Sequence, residues 1–194
     1  LDGGWFPVAL GLGLFAVMTT WRTGRELLAK KIHQDGLDLK SFVQSLEEHP
    51  PHRVHRTAVF LVANPQTVPQ ALLHNLKHNK VLHERIILLT VKIMSQPYWP
   101  DGDRGKLDDM GHGFHRLVLR FGFMEVADVP AALKRVEMAG GAFKMMDTSF
   151  FLSRQTLLPS AKPGMPLWRE KIFAWMLRNA ESAMEFFRLP TNRV

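Results

Sequence analysis

The sequence predicts an α/β (α+β) cytosolic domain with a mixed β-sheet flanked by helices, preceded by one transmembrane helix. Residues 3–21 carry no charged side chain, and basic residues follow them directly. The rest of the chain alternates short apolar runs typical of buried strands with segments of helical periodicity. We therefore divide the chain into a transmembrane helix at 1–21, a helical juxtamembrane linker at 22–56 and a cytoplasmic α/β domain at 57–194.

The apolar stretch has the length of a membrane span. As a helix, residues 3–21 would extend about 28 Å, close to the thickness of the bilayer hydrocarbon core. Trp5 and Trp21 lie near its ends, where tryptophan favours the boundary between lipid and water. The basic residues that follow are Arg22, Arg25, Lys30 and Lys31. They predict a cytoplasmic carboxyl end, and since no leader precedes the helix, we interpret it as the last span of a polytopic protein. The alternative is a buried core helix of a soluble protein.

The first half of the remaining chain predicts helices and two buried strands. Helical spacing continues past the apolar stretch to about Ile32, and "DLKSFVQSLEEH" (38–49) is a short amphipathic helix. "TAVFLVA" (57–63) is a continuous apolar run that suits a buried strand and is too short for a helix. "VPQALLHNLKHN" (68–79) has apolar residues at helical spacing, and "RIILLTVKI" (85–93) is a β-branched run that suits a central strand.

The second half predicts a loop followed by alternating strands and helices. Turn-forming residues dominate 95–113, which is expected to be an exposed loop. "FHRLVLRFGFM" (114–124) alternates in polarity and predicts a strand with one more exposed face. "DVPAALKRVEMAG" (128–140) begins with an aspartate suited to cap a helix. We predict a further strand at 142–154 and a long helix at 165–188.

Composition and charge exclude several kinds of site. The chain has 194 residues and no cysteine, which excludes a disulfide framework, a thiolate metal site and a cysteine nucleophile. The formal net charge of +7 favours anionic neighbours such as lipid headgroups or phosphates. Because the basic residues are interleaved with acidic ones and no nucleic-acid-binding motif is present, we expect no nucleic-acid partner.

Four patterns resemble catalytic or metal sites, and each lacks a required part. His74 and His78 have the spacing of zinc ligands on a helix, but no glutamate stands beside the first of them. The three histidines within 49–55 lie on a predicted loop, where we expect no pairing with a carboxylate. The acidic stretch 101–109 departs from an EF-hand loop at its fifth and sixth positions, and no nucleophile elbow surrounds Ser149. We predict no catalytic, cofactor-binding or metal-binding residue, and no enzyme.

Arg116 and Arg120 are the strongest candidates for contacts to a ligand. They lie on one face of the predicted strand at 114–124 and could together hold an anion such as a nucleotide phosphate. The alternative is that both pair with acidic side chains on the sheet surface. A nucleotide-sensing domain that uses these arginines is therefore a second function that the residues leave open, and a soluble enzyme with a buried first helix is a third.

Five long stretches of the chain closely resemble the C-terminal part of the Kup potassium uptake transporters. They run in the family's order and cover nearly the whole chain, at 2–28, 68–91, 116–133, 145–160 and 167–194. The resemblance implies a bacterial inner-membrane protein, multi-pass at full length, that imports K⁺ with H⁺ as the coupling ion. It also implies that this chain holds the last membrane helix and a cytoplasmic domain that stabilises or regulates transport and carries no ion path.

The resemblance also sets the expected partners. They are the lipid bilayer, and K⁺ and H⁺ as ions transported by the full-length protein. A homodimer and a cyclic dinucleotide are further candidates; the second enters because the cytoplasmic domain of more distant relatives resembles universal stress proteins and can bind such a ligand. No cofactor is expected.

Overall fold

The computed structural model of the chain describes residues 4–34, 36–136, 143–152, 164–180 and 182–193. The helices of these residues are α1 (Trp5–Gln34), α2 (Leu39–Glu48), α3 (Gln70–Asn79), α4 (Val129–Arg135), α5 (Leu167–Arg178) and α6 (Ala183–Phe186). The strands are β1 (His52–Leu61), β2 (Val81–Met94), β3 (Gly105–Asp109), β4 (Phe114–Gly122) and β5 (Thr148–Leu152). The chain divides into two compact units, of which unit 1 comprises 1–35 and 155–181 and unit 2 comprises 36–154 and 182–194.

The helices α1 and α5 of unit 1 pack through a close approach at Gly24. The Phe173 ring of α5 is buried against Gly24, and its centroid lies 5.5 Å from that of the Trp21 ring. Arg169 Nε donates a hydrogen bond of 2.9 Å to Thr20 Oγ1. A Cβ atom at residue 24 would overlap the Phe173 ring, so glycine is required for this packing.

The helix α1 differs from the prediction for the amino-terminal region. It runs without a break past residue 21 into the predicted linker. Among the described residues, no helix is both long and apolar enough to cross a membrane, so the transmembrane helix predicted at 1–21 is not confirmed. Pro7, Gly11, Gly13 and two threonines dilute the apolar side chains of this stretch.

Unit 2 is built around a five-stranded mixed sheet with the strand order β3-β4-β2-β1-β5. Strands β1, β2, β4 and β5 are parallel, and β3 pairs with β4 in the antiparallel direction. The central strands are near-continuous apolar runs because helices and loops cover both faces of the sheet, and Val59, Ile87 and Leu88 are fully buried. The structure confirms the predicted α/β class, with a mixed sheet flanked by helices.

Each face of the sheet has its own apolar core. On one face, Leu39 of α2 and Leu72 of α3 pack with Phe60 of β1. On the other face, Leu133 of α4 packs in the cluster that contains Val59 of β1. Successive residues of β1 therefore enter opposite cores, as the two-residue repeat of a strand requires.

Two strands extend the sheet beyond the prediction. β1 begins at His52, inside the predicted linker, and β3 lies within the stretch 95–113 that was expected to be a loop. The long helix predicted at 165–188 is wrong, because α5 ends at Arg178 and the separate helix α6 begins at Ala183. The boundaries of the three predicted domains stay predictions.

Two other elements are shorter than predicted within the described residues. The helix predicted at 128–140 is observed as α4, which ends at Arg135, and Asp128 caps it by accepting a hydrogen bond of 2.8 Å from the Ala131 amide. Its predicted last turn, at 137–140, lies outside the described residues. The strand predicted at 142–154 is observed at 148–152, and residues 142, 153 and 154 also lie outside the described residues.

Candidate functional site

The structure gives both arginines of the predicted anion site a protein partner. Arg116 Nη2 lies 3.0 Å from Asp108 Oδ2, directly across the β3–β4 ladder. Arg120 Nη1 donates a hydrogen bond of 3.3 Å to the Asp103 carbonyl and lies 3.7 Å from Asp103 Oδ1. These contacts correspond to pairing with acidic side chains on the sheet surface. Binding of a cyclic dinucleotide, like formation of a homodimer, stays a prediction.

The other sequence patterns do not assemble into a catalytic or metal site. No group of three or more histidine or carboxylate side chains in the described part of the chain could hold a metal ion. The His74 and His78 rings stack at 5.9 Å between centroids, and His55 Nδ1 lies 2.8 Å from Glu84 Oε2, a pairing that the sequence did not indicate. Ser149 lies in the extended strand β5 and not in the strand-to-helix turn that exposes a hydrolase nucleophile.

Arg104 is the centre of a cluster at the carboxyl ends of β2 and β4. Its Nη2 donates hydrogen bonds to Glu125 Oε1 at 2.8 Å and to the Trp99 carbonyl at 3.0 Å. Its Nη1 lies 3.1 Å from Glu125 Oε2, and its Nε lies 2.9 Å from Asp101 Oδ1. The guanidinium carbon also lies 4.9 Å from the centroid of the Phe121 ring. Arg104 thus joins its own segment, through Trp99 and Asp101, to Glu125, which lies 21 residues further along the chain. The cluster therefore holds the two loops at this edge of the sheet.

Glu125 has the largest pKa shift of the cluster. Hydrogen bonds from Arg104 lower the pKa of Glu125 to about 2, and burial opposes this shift. The hydrogen bond with Glu125 in turn raises the pKa of Arg104. The mutual effect identifies a charge-assisted pair that stays ionised at neutral pH.

We expect Glu125→Gln to remove part of the acid sensitivity of folding. Because the folded pKa of Glu125 is about 2 and its ordinary value is 4.5, its stabilising contribution is complete above about pH 4.5 and is lost as the pH falls towards 2. The variant should be less stable by about 1–2 kcal/mol at pH 7, and this difference should shrink between pH 4.5 and 2. Urea unfolding at several pH values measures it. A difference that does not change with pH would contradict the assignment.

The described residues form an open cleft of about 790 Å³ at the amino ends of the parallel strands. Its lining comes from the end of α2, β1, β2 and the turn before β4, and comprises Leu46, Glu47, Pro50, Arg53, Glu84, His112 and Gly113. Ligands of open α/β sheets usually bind at the opposite edge, beyond the carboxyl ends of the strands. The position of this cleft therefore differs from that of a typical nucleotide site.

The polar groups of the cleft already have partners. His112 Nε2 lies 2.7 Å from Glu47 Oε1, and Arg53 Nη1 donates a hydrogen bond of 3.0 Å to the His83 carbonyl. Burial lowers the pKa of Arg53, an effect that the charge of Glu84 opposes. The residues that line the cleft include no serine, threonine or cysteine, so they offer polar contacts and no hydroxyl or thiol nucleophile.

The amino-terminal half of α1 exposes nine large apolar side chains. The exposed side chains are Trp5, Phe6, Val8, Leu10, Leu12, Leu14, Phe15, Val17 and Met18. Because they follow one another along the helix, they cover all of its sides. Apolar patches of this extent mark contacts with a protein or a membrane.

The fold and the surface define the class of the chain as a mixed α/β sheet domain that follows an exposed apolar helix. Residues 55–194 match the family described as "K+ potassium transporter C-terminal domain". The chain belongs to this family. The description of this family names a domain of transporters, which agrees with the prediction that the chain is not an enzyme.

Three relatives of the chain carry the name of probable potassium transport system proteins. It is 60% identical over 193 residues to "Probable potassium transport system protein Kup 2" of Rhizorhabdus wittichii, and 58% identical to "Probable potassium transport system protein Kup 1" of Novosphingobium aromaticivorans. It is 54% identical to the corresponding Kup protein of Erythrobacter litoralis. These alignments cover 100% of this chain and 30%, 30% and 31% of the relatives, so the chain spans about a third of their length. No solved structure matches it. The resemblance to the C-terminal part of Kup transporters is confirmed.

Proposed function

We propose that this chain is part of a bacterial inner-membrane protein that takes up K⁺ in symport with H⁺. In this proposal unit 2 is a cytoplasmic domain that stabilises or regulates transport and contributes no ion path. The observation that carries the proposal is the 60% identity over the whole chain to a probable potassium transport protein. The alternative of a soluble enzyme has no catalytic constellation to support it among the described residues.

The surface of α1 supports a membrane location. Its exposed apolar half would be covered by lipid or by other helices of the full-length protein, which removes apolar area from water at a gain of about 25 cal/mol per Å². Arg22 and Arg25, both exposed, follow this half directly. Positive charge next to an apolar membrane segment favours the cytoplasmic side, which supports a cytoplasmic position for the rest of the chain.

The packing of unit 2 supports a stabilising or regulatory role. Its partly buried charges Arg104 and Glu125 are used to join loops of the same unit. The charged groups of the cleft pair with each other, with His55 or with the backbone. We therefore expect unit 2 to act through contacts with other parts of the full-length transporter.

A deletion in the full-length transporter tests the proposal. In a bacterial strain that cannot take up K⁺, the intact protein should restore K⁺ uptake. Removal of residues 38–194 should leave a protein that still carries K⁺, with a lower membrane level or an altered uptake rate. Uptake of ⁸⁶Rb⁺ and immunoblots of isolated membranes measure the two quantities separately.

The two parts of the proposal fail in different ways. If the intact protein at a normal membrane level does not restore uptake, the assignment to K⁺ transport is wrong. If the truncated protein equals the intact one in level, rate and response to external K⁺, the cytoplasmic domain has neither proposed role. The intact protein with Arg116→Ala serves as the control, because it changes a surface ion pair and leaves the domain in place.

A further inference from the structure

The exposed face of α5 has a distinct composition. Successive residues of a helix are about 100° apart, so its exposed residues Leu167, Trp168, Lys171, Trp175 and Arg178 fall within one arc of about 100°. We call this arc the tryptophan–cation stripe. The two tryptophans are 57% and 60% exposed, which is high for a side chain that is mostly buried on average.

The other side of α5 is used for packing in unit 1. Phe173 lies opposite the stripe, is buried and contacts Trp21 and Gly24 of α1. Ala174 is also buried and lies beside Leu167, at one edge of the stripe. Glu170, the single acidic residue of α5, lies outside the tryptophan–cation stripe. The stripe is therefore a cationic and aromatic surface without a negative charge, on a helix whose opposite side is fixed to α1.

The chemistry of the stripe fits a membrane surface that carries negative charge. Tryptophan rings favour the boundary between headgroups and acyl chains, and lysine and arginine side chains contact the phosphates at the same depth. The core of a protein interface is enriched in tryptophan and arginine but depleted in lysine, so Lys171 is the residue that favours a lipid surface. A symmetric contact between two copies of the stripe would also place like charges against each other.

We propose that α5 lies along the anionic surface of the membrane, with Trp168 and Trp175 at the headgroup boundary and Lys171 and Arg178 on lipid phosphates. The inference rests on the proposed function, in which α1 of the same unit brings unit 1 to the membrane. It adds a second contact, which α5 makes in the plane of the bilayer. This contact depends on lipid charge.

A fluorescent probe on α5 tests the proposal. Because the chain contains no cysteine, single cysteines can be introduced and labelled with an environment-sensitive dye. The labelled positions are Leu167→Cys on the stripe, Leu10→Cys on α1 and, as an exposed control in unit 2, Glu48→Cys. The whole chain is reconstituted in vesicles of phosphatidylcholine, with and without phosphatidylglycerol. The dye at 167 should shift to the blue when phosphatidylglycerol is present, and the shift should shrink at high salt.

Neutralisation of the two cations tests the electrostatic part. A basic residue near an anionic surface strengthens binding about fivefold, so Lys171→Gln with Arg178→Gln should weaken docking of α5 about 25-fold. The matched control is Lys40→Gln with Lys77→Gln, which removes the same charge from exposed positions of unit 2. The control should leave the shift at position 167 unchanged.

The outcomes separate this proposal from the one on which it rests. A dye at position 10 that stays in water in all vesicles would show that the proposed membrane location of α1 is wrong. If the dye at 10 enters lipid and the dye at 167 stays in water, the location stands and the docking of α5 is refuted. A shift at 167 that is equal in both kinds of vesicle, or that appears with protein concentration in the absence of lipid, would also refute binding to anionic lipid.

Discussion

Arg104→Ala is expected to lower the free energy of unfolding of unit 2 by about 3–5 kcal/mol. The arginine side chain is 13% exposed and its partner Glu125 is 14% exposed, so removal of one charge leaves the other largely buried without its partner. The carbonyls of Trp99 and Arg120 also lose the donor that now satisfies them. The loss combines an uncompensated charge with unsatisfied acceptors, the two costliest consequences of removing a polar side chain.

Urea unfolding of the chain in mild detergent measures this effect, with Trp99 fluorescence as the reporter and the other four tryptophans replaced by phenylalanine. Arg104→Lys keeps the charge and loses the bidentate geometry, so we expect an intermediate loss. The matched control is Arg116→Ala on the neighbouring strand, whose more exposed pair with Asp108 should contribute at most about 1 kcal/mol. Equal effects of Arg104→Ala and Arg116→Ala would mean that the cluster does not organise this edge of the sheet.

The central strands of the sheet could be predicted because their signal, a continuous apolar run, lies within each strand. The apolar runs around Val59 and Leu88 are buried on both faces, and such runs indicate central strands without knowledge of their neighbours. The strand β3 has no such run, because Leu107 is its single large apolar residue. Its formation depends on pairing with the edge of β4, which is a tertiary contact.

Because β3 was not predicted, Arg116 and Arg120 were expected to be available to a ligand. The sequence placed the two arginines on one face, but their acidic partners Asp108 and Asp103 lie in the stretch that was expected to be a loop. The pair of Arg104 and Glu125, 21 residues apart, left no periodic signal either. Contacts between loops at a sheet edge cannot be derived from local spacing.

The sequence indicated the boundary between α5 and α6, but our prediction of one long helix did not include it. Ser182 and Glu185 have the spacing of a helix capping box, and Ser182 Oγ lies 3.0 Å from Glu185 Oε2 at the start of α6. The apolar residues on both sides of this box continue at helical spacing, which favoured one long helix at 165–188. Capping chemistry was the better guide here, because it marks where a new helix begins.

The close approach of α1 and α5 should depend on the small volume of Gly24. Phe173→Ala removes a buried ring and should destabilise the pairing of the two helices by about 3–5 kcal/mol. Gly24→Leu should destabilise it by about 2 kcal/mol, because its side chain would occupy the space of the Phe173 ring. Fluorescence of Trp21 during urea unfolding in detergent, with the other four tryptophans replaced by phenylalanine, reports this pairing.

The double variant identifies the cause. If the two side chains compete for one space, Gly24→Leu combined with Phe173→Ala should cost less than the sum of the single changes, since leucine then fills part of the cavity. Gly13→Leu is the matched control, because a Cβ there meets no atom within 4 Å and leucine is the better helix former. Additive effects, or a loss from Gly13→Leu as large as that from Gly24→Leu, would mean that this contact does not hold α5 against α1. The stripe on α5 would then have no fixed orientation.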